Sequence, residues 1–411
     1  RCTVRPATST RWSTTSSQRP SKAYRLTTDR IEDIARAFDE RLDISRRTAE
    51  WVAHRYLPEC AAWPTLQIDD VSGIPFLTAV VGVELYQLRA RVRARAGDLF
   101  AATCADMPDY ERYNRQHLAL GAAGFVYAAP TGPKIAVADA CRHGAAFAQL
   151  VAFARAQGRL LIHPYMGIES VWELARDLSV AANVPVRVLA PPPPVTWLAN
   201  DKAHVAAVVA EVLGPDWLCD TRMSAEPEYL AGHLRALARR HERVALKLTR
   251  CASAMGNAVF SAADILGEPE GATVRRVESF LAAKEWTPGD TVLVVSWEDN
   301  TDSPSSQLWL PPHGDGAPVC EGLYEQLLVG EERMFLGSIP SGLGPDVEAA
   351  MTRGSLAIAE LFQRLGYVGR CSFDFIVPDG KVLCVECNGR WGGTSTPMHL
   401  VDRLFPDRRP S

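Results

Sequence analysis

The stretch Cys371-Ser-Phe-Asp374-Phe-Ile-Val-Pro-Asp-Gly380-Lys-Val-Leu-Cys-Val-Glu386-Cys-Asn388-Gly-Arg390 decides how this chain is read. Two strand-like runs, 371–377 and 381–388, flank Pro378-Asp379-Gly380, which suits a type I turn followed by a left-handed glycine. That turn pairs Val377 with Lys381, sets Asp374 opposite Cys384 and leaves Glu386 diagonally beyond. Side chains alternate along a strand, so Asp374, Glu386 and Asn388 share one face in any register that pairs even numbers with even. Phe373, Phe375, Val385 and Cys387 occupy the other face. Diagonal neighbours lie about 7–8 Å apart, so two carboxylates and an amide oxygen can converge on hard cations. Mg2+ prefers oxygen ligands at about 2.0–2.1 Å and completes its shell with water and nucleotide phosphates. An exposed polar face would account for Asp374 alone, but such a face normally carries Lys, Thr and Ser rather than clustered Asp, Glu and Asn. The same alternation sends Cys384 and Cys387 to opposite faces, which argues against a zinc knuckle or redox pair.

Working upstream, Lys247 sits inside the apolar strand Val244–Leu248. An ammonium there is costly unless it meets an anion or snorkels to the surface. The loop that follows carries Ser253, Gly256 and Asn257. Asn200-Asp201 cap a helix running to Leu213, with Lys202 at its start. A helix near Thr273–Ala283, a strand Thr291–Trp297 ending at Glu298, and a strand Gln307–Leu310 follow. Gly342-Leu-Gly344 has Val347 where a dinucleotide fingerprint needs its third glycine. It reads instead as a loop entering a helix from about Asp346 to Leu365, with Pro345 at its first position.

The N-terminal half reads as alternating α and β. Ile31, Ile34, Phe38 and Leu42 follow helical spacing after Thr28 and Asp29. Strand-like runs Gly124–Ala128, Ile135–Ala138, Arg159–His163 and Val186–Ala190 alternate with helix-like runs Ala145–Gln157 and Ser170–Ser179, the pattern of a parallel sheet with helices on its faces. Pro75–Leu85 reads as a buried strand, and Leu88–Arg95 as a helix whose Arg89, Arg91, Arg93 and Arg95 form a solvated basic face, since no aromatics are interleaved. The run Pro191–Pro194 marks a stiff border. Residues 1–23 are rich in Ser, Thr and Arg without Asp or Glu, a tail that cannot bury a core.

Composition narrows the class. A charge of −4 gives no global pull toward nucleic acid. No apolar run reaches the roughly 18 residues of a membrane helix. The ten cysteines are scattered, as reduced thiols in the cytoplasm would be. There is no P-loop, no Gly-x-Ser-x-Gly elbow and no zinc-type histidine spacing.

Asp374-Phe375 followed by Glu386-Cys387-Asn388-Gly389-Arg390 resembles the metal-binding end of ATP-grasp ligases. The resemblance implies that Asp374, Glu386 and Asn388 hold Mg2+ (or Mn2+) on ATP and that Arg390 contacts the transferred phosphate or acyl intermediate. Gly392-Gly393 and Pro397 are similar to the glycine-rich exit of that motif. Lys202 and Lys247 then become the two phosphate-binding lysines, and Ser253, Gly256 and Asn257 the loop over the phosphates. Thr291–Trp297 becomes the hinge that reads adenine, with Glu298, Asp299 or Asp302 reaching the nucleotide. Gln326 and Arg333 are candidates for the substrate side, with a solvated loop the favoured alternative for each. The implied fold is α/β: a Rossmann-like pre-ATP-grasp domain over 24–194, then a two-lobed ATP-grasp module over 195–298 and 299–411. Within the superfamily, Lys247-Leu-Thr-Arg-Cys-Ala-Ser253-Ala-Met-Gly256-Asn257 and Ser303-Pro-Ser-Ser-Gln307 are most similar to pheganomycin-type peptide ligases. The implied activity is ADP-forming ligation of an amino-acid-like carboxylate to a peptide amine through an acyl phosphate. A ligase of two small amino acids is the alternative, and a non-catalytic ATP-binding module is a weaker one. No nucleic-acid or membrane partner is expected.

Overall fold

Three sheets organise the computed structural model, which describes residues 28–75, 82–251, 255–284, 286–298, 302–329 and 334–407. The first sheet joins β1 (Thr65–Ile68), β2 (Leu99–Ala102), β3 (Gly124–Tyr127), β4 (Leu160–Pro164) and β5 (Val186–Val188) in the order β3-β2-β1-β4-β5. Every pairing in it is parallel. Helices Gly144–Gln157 and Glu169–Ala182 bury Leu150, Trp172, Leu174 and Leu178 against Leu66, Ile68 and Ile162. The alternating pattern thus gave the architecture, although β1 and β2 are too short to show an alternation of their own.

Two short runs depart from their sequence reading. Residues 137–140 are a helix rather than a strand, and Ala138 N donates to the buried Asp70 Oδ2 at 2.8 Å. Of the strand expected over 75–85, residues 76–81 lie outside the described residues. Beyond them Gly82 adopts φ 80°, and Val83–Arg89 form 3-10 turns.

The arginine run is the larger correction. Arg91 and Arg93 are not on a solvated face: they are 0% and 3% exposed. Arg93 pairs with Asp69, itself 1% exposed, and lies over the Trp391 ring. Arg91 pairs with Glu111 and donates to Gly121 O at 2.6 Å. The C-terminal helix Ser395–Leu404 covers this run, with Arg403 donating to Val92 O and Ala94 O. That cover comes from some 300 residues away, so no local pattern could announce it.

The second sheet is antiparallel and comprises β6 (Thr221–Ser224), β7 (Arg243–Leu248), β8 (Asn257–Ser261) and β9 (Val292–Ser296) in the order β6-β9-β7-β8. The third, also antiparallel, comprises β10 (Pro304–Leu310), β11 (Val319–Val329), β12 (Met334–Pro340), β13 (Gly369–Ile376) and β14 (Leu383–Asn388) in the order β12-β11-β10-β13-β14. Its apolar face packs Phe373 and Phe375 against Phe362 and Tyr367, Val205 and Val209, and Phe38 of the first helix, Thr28–Leu42. The proline run does not exclude a helix. Pro193 opens the helix Pro193–Asn200, because a first-turn N–H has no partner to lose. Asp201 then caps Lys202–Val212, accepting from Ala203 N at 3.0 Å and His204 N at 3.3 Å.

The β13–β14 register differs from the turn-based reading. Ile376 pairs with Leu383 and Phe375 with Cys384; a bulge intervenes, and Asp374 then pairs directly with Glu386, not with Cys384. Asp379 as well as Gly380 is left-handed, at φ 49° and 78°, so the connection is longer than a tight type I hairpin. The bulge also overturns the parity argument for Cys384 and Cys387. Both lie in the same apolar core, as thiols; all nine described cysteines are free. No helix among the described residues is long and apolar enough to cross a membrane.

Removing one partner of a buried ion pair strands the other charge and typically costs about 3–5 kcal/mol. Asp69→Ala should therefore lower the urea midpoint of unfolding by that equivalent. A loss below about 1 kcal/mol, the range of exposed pairs, would mean that Arg93 reaches water.

Candidate active site

A cavity of about 400 Å3 opens where the three sheets meet. From the sequence candidates it collects Lys202, Lys247, Asn257, Glu298, Asp374, Glu386, Asn388 and Arg390. Gly256 is not on its wall, and Ser253, Asp299 and Arg333 lie outside the described residues. Gln326 projects from β11 onto the cavity wall, so the solvated-loop reading for it is corrected.

The two carboxylates are cross-strand neighbours, closer than the diagonal expected from sequence. Asn388 Nδ2 donates to Asp374 Oδ2 at 2.9 Å. Burial, reinforced by the Glu386 charge, pushes the Asp374 carboxyl up to about 7. For Glu386 burial acts upward too, but the charges of Lys202, Lys247 and Arg390 together outweigh it and hold the acid below its ordinary range. Lys202 Nζ lies 2.9 Å from Glu386 Oε2 and 3.4 Å from both Cys251 O and Cys251 Sγ. Burial would lower the Lys202 pKa, yet Glu386 turns the net shift upward.

Lys247 is in the opposite condition. It is the penultimate residue of β7, between Asn257 on β8 and Leu293 on β9. Its ammonium lies 5.2 Å from the Trp297 ring centroid, with no carboxylate at ion-pair distance among the described residues. Burial pulls its pKa down. Beside it, Asn257 Oδ1 is buried without a hydrogen-bond partner.

Gly256 acts from behind the wall. A Cβ there would stand 2.5 Å from Cys251 Sγ, so the missing side chain lets the loop fold onto the cysteine that abuts Lys202. Glu298 accepts from Ser296 Oγ at 2.6 Å. Asn200 clamps the exit from β14: its Oδ1 accepts from Gly389 N at 3.1 Å and Arg390 Nη1 at 2.8 Å, and its Nδ2 donates to Gly389 O. Arg390 Nε is buried and unpartnered.

Sequence reasoning did not name two groups as site residues, although it quoted the Ser303–Gln307 run for its resemblance. Ser303, Ser305 and Gln307 alternate along β10 onto the cavity, and Ser372 stands opposite Gln307. Their polar alternation was visible, but its buried setting was not. Tyr86 and Arg89 from the 3-10 turns and Tyr165 from the end of β4 also reach the cavity; no local motif marks the tyrosines, and Arg89 was read only as part of a solvated basic face, which its place on the cavity wall corrects.

The donor set fits a hard divalent cation. Two adjacent carboxylates repel each other, and an amide oxygen can join them on a cation. No cluster of three or more His, Cys, Asp or Glu suited to a metal occurs among the described residues, so water and phosphate oxygens would have to supply the remaining ligands.

No family model and no curated protein matches the sequence. Solved structures do match in fold. The biotin carboxylase domain of Hydrogenobacter thermophilus 2-oxoglutarate carboxylase, in complex with MgADP, ADP and bicarbonate, superposes with a TM-score of 0.50. It is 16% identical, over 85% of this chain and 70% of that one. Campylobacter jejuni biotin carboxylase gives 0.51 at 14% identity, over 84% and 72%. Rhizobium etli pyruvate carboxylase gives 0.51 at 14% identity, over 83% of this chain and 28% of that one. The chain shares the mixed α/β fold of these enzymes, the fold class expected from the sequence.

The contrast between the lysines is testable without ligand. Lys202→Met strands Glu386 beside Asp374 and should cost about 1–3 kcal/mol of folding stability, the range for an unsatisfied buried group. Lys247→Met removes a cation whose folded pKa is depressed. A depressed lysine pKa opposes folding below the unfolded pKa, so near pH 7 this variant should be at least as stable as the parent. Urea titration of both proteins decides; the reverse order would contradict the pairing described.

Proposed function

We propose that the protein is an ATP-dependent carboxylate–amine ligase that forms an amide through an acyl phosphate and releases ADP and phosphate. The observation that carries this reading is the convergence, in one cavity, of two lysines, a cross-strand carboxylate pair with an adjacent amide, and an arginine. They come from the start of the helix Lys202–Val212, from the second sheet, and from the third sheet with its exit, so local sequence alone gives no reason for them to meet. A non-catalytic ATP sensor would need the lysines but not the arginine beyond the metal face.

In this reading Lys202 and Lys247 hold phosphate oxygens, and Ser296, Trp297 and Glu298 line the nucleotide end. Asp374, Glu386 and Asn388 would hold Mg2+ or Mn2+, which supplies charge neutralisation on the phosphates. A substrate carboxylate oxygen attacks the γ-phosphorus, the bond to the β–γ bridging oxygen breaks, and ADP leaves. An amine then attacks the acyl carbon, loses a proton, and expels phosphate. Arg390, fixed by Asn200, faces the oxyanion of that addition. Lys202 would share its three ammonium N–H groups between Glu386 and phosphate, so ligand and ion pair draw on one ammonium.

We further propose the finer assignments. The acid is amino-acid-like and the acceptor a peptide amine, as the pheganomycin-type resemblance suggests. The chain divides into a tail at 1–23, a pre-ATP-grasp domain at 24–194, and lobes at 195–298 and 299–411.

The test is a phosphate-release screen of amino acids and short peptides with ATP and Mg2+. ADP should accumulate only when both acid and amine are present, and chelation of the metal should stop it. AMP with pyrophosphate would identify an adenylating enzyme instead. Glu386→Gln should abolish turnover. Lys247→Met should weaken ATP binding by about one to two decades, the equivalent of a charge-assisted contact worth about 1.5–3 kcal/mol. Unchanged affinity by calorimetry would remove Lys247 from the phosphate site.

A further inference from the structure

The first sheet brings a charged group to the cavity for which the ligase chemistry has no use. Its strand order places β1 beside β4, with the chain winding outward to β2 and β3 on one side and to β5 on the other. In an open parallel sheet the crevice beyond the carboxyl ends of two such strands is where ligands bind. Here β1 ends at Ile68 and runs into Asp69-Asp70, while β4 ends at Pro164 and runs into Tyr165. The turn after β1 carries two carboxylates and a single glycine, Gly73, so it offers no glycine-rich cradle for a dinucleotide.

Arg89 stands over that crevice and lines the cavity. Its guanidinium carbon lies 4.3 Å from the Tyr86 ring centroid and 5.0 Å from that of Tyr165. Nε donates to Tyr86 O at 3.0 Å, and Nη2 is buried with no hydrogen-bond partner. Its carboxylate neighbour is Asp69, whose Oδ2 is a loose 3.5 Å from Nε. Asp69 is already engaged by Arg93 through its other oxygen. Among the described residues two guanidiniums therefore share one carboxylate, leaving one positive charge held rigidly at the cavity wall. Two aromatic faces and a backbone carbonyl fix its plane, which suits a planar anion bound through paired N–H groups.

We infer that Arg89 forms a subsite for a substrate carboxylate other than the one that is phosphorylated. The inference rests on the ligase reading for what occupies the cavity and adds the substrate class: either the acceptor carries a free carboxylate, as an amino acid or peptide does, or the donor is a dicarboxylate. Lys202, Lys247 and Arg390 are committed to phosphate and acyl group in that reading, so Arg89 is the cation left for this anion.

Binding and turnover test it separately. Acetate, succinate, L-Ala-L-Ala and the C-terminal amide of L-Ala-L-Ala are titrated by calorimetry into the parent, Arg89→Lys and Arg89→Met. At least one of the acids should bind the parent about 10- to 100-fold more tightly than Arg89→Met, the range for one charge-assisted contact. Arg89→Lys should fall between them, and the amide should not distinguish parent from Arg89→Met. Equal affinities in parent and Arg89→Met, or no binding of any acid, would overturn the subsite. Arg89→Met should also unfold at the same or a higher temperature, since Asp69 keeps Arg93; a clear loss would make Arg89 a structural counter-ion and likewise overturn it. In the phosphate-release assay, amidating the acceptor or removing the donor's second carboxylate tells which substrate carries the group, and that discrimination should vanish in Arg89→Met. A parent that releases no phosphate with any pair would sink the ligase reading, while the titrations would still decide the subsite.

Discussion

One extra residue in β14 sets the chemistry of the third sheet. From the Phe375–Cys384 pair an unbroken antiparallel ladder would set Asp374 opposite Val385 and Phe373 opposite Glu386. Glu386 would then share the face of Phe373 and enter the apolar core. The bulge at Val385 shifts the count by one. Phe373 keeps Cys387 as its partner in the core, and Asp374 gains Glu386 on the cavity side. Two carboxylates are thereby forced together at a cross-strand spacing, which neither would adopt without compensation. Lys202 compensates one of them, and the hydrogen bonds from Asn388 and Ser305 ease the other.

The two lysines show how one cavity serves opposite electrostatic needs. Lys202 is satisfied without ligand, by Glu386 and the backbone of Cys251, and its helix begins at a capped turn that fixes its position. Lys247 is held on a strand with an aromatic face for company and its pKa depressed by burial. An anion arriving between them gains most at Lys247, where desolvation has already been imposed by folding. At Lys202 it would share the ammonium with Glu386, and a cation at the carboxylate pair would release that lysine. In the proposed reading, metal and phosphate binding would be coupled through one ammonium.

Much of this was legible in the sequence, for identifiable reasons. Asp374, Glu386 and Asn388 could be placed on one face because strand parity is a strong constraint, and the shared face survived a wrong register because the bulge restores the even–even pairing that the ladder next to the turn lacks. Lys247 was legible because an ammonium among Val244, Leu246 and Leu248 is anomalous. The cap at Asp201 follows from local chemistry. What failed depended on distant cover. Arg91 and Arg93 looked solvated because the helix that buries them begins at Ser395. Cys384 and Cys387 looked divergent because a bulge cannot be seen in a period of two. Tyr86 and Tyr165 left no signal and Arg89 only that of a basic run, since their place on one cavity wall exists only once the first and third sheets meet.

That meeting is tied at residue 391, directly after Arg390. Trp391 N donates to Tyr165 O at 3.0 Å, so the exit from β14 is spliced onto the end of β4. Its indole Nε1 lies 3.3 Å from His163 Nε2, and its ring is flanked by the guanidiniums of Arg93 and Arg370. An indole N–H only donates, so His163 must accept there and remain neutral. Burial and the nearby arginines hold its pKa well below the usual imidazole value and push that of His399 down to about 3. Protonation near neutrality therefore cannot loosen the joint. The spacing between Tyr165 and Arg390 is set by a backbone hydrogen bond and a single intervening residue, not by a mobile hinge. Groups on the two sides of the cavity are thus held in a fixed relation before any ligand arrives, the condition under which binding energy goes into orientation rather than into ordering the protein.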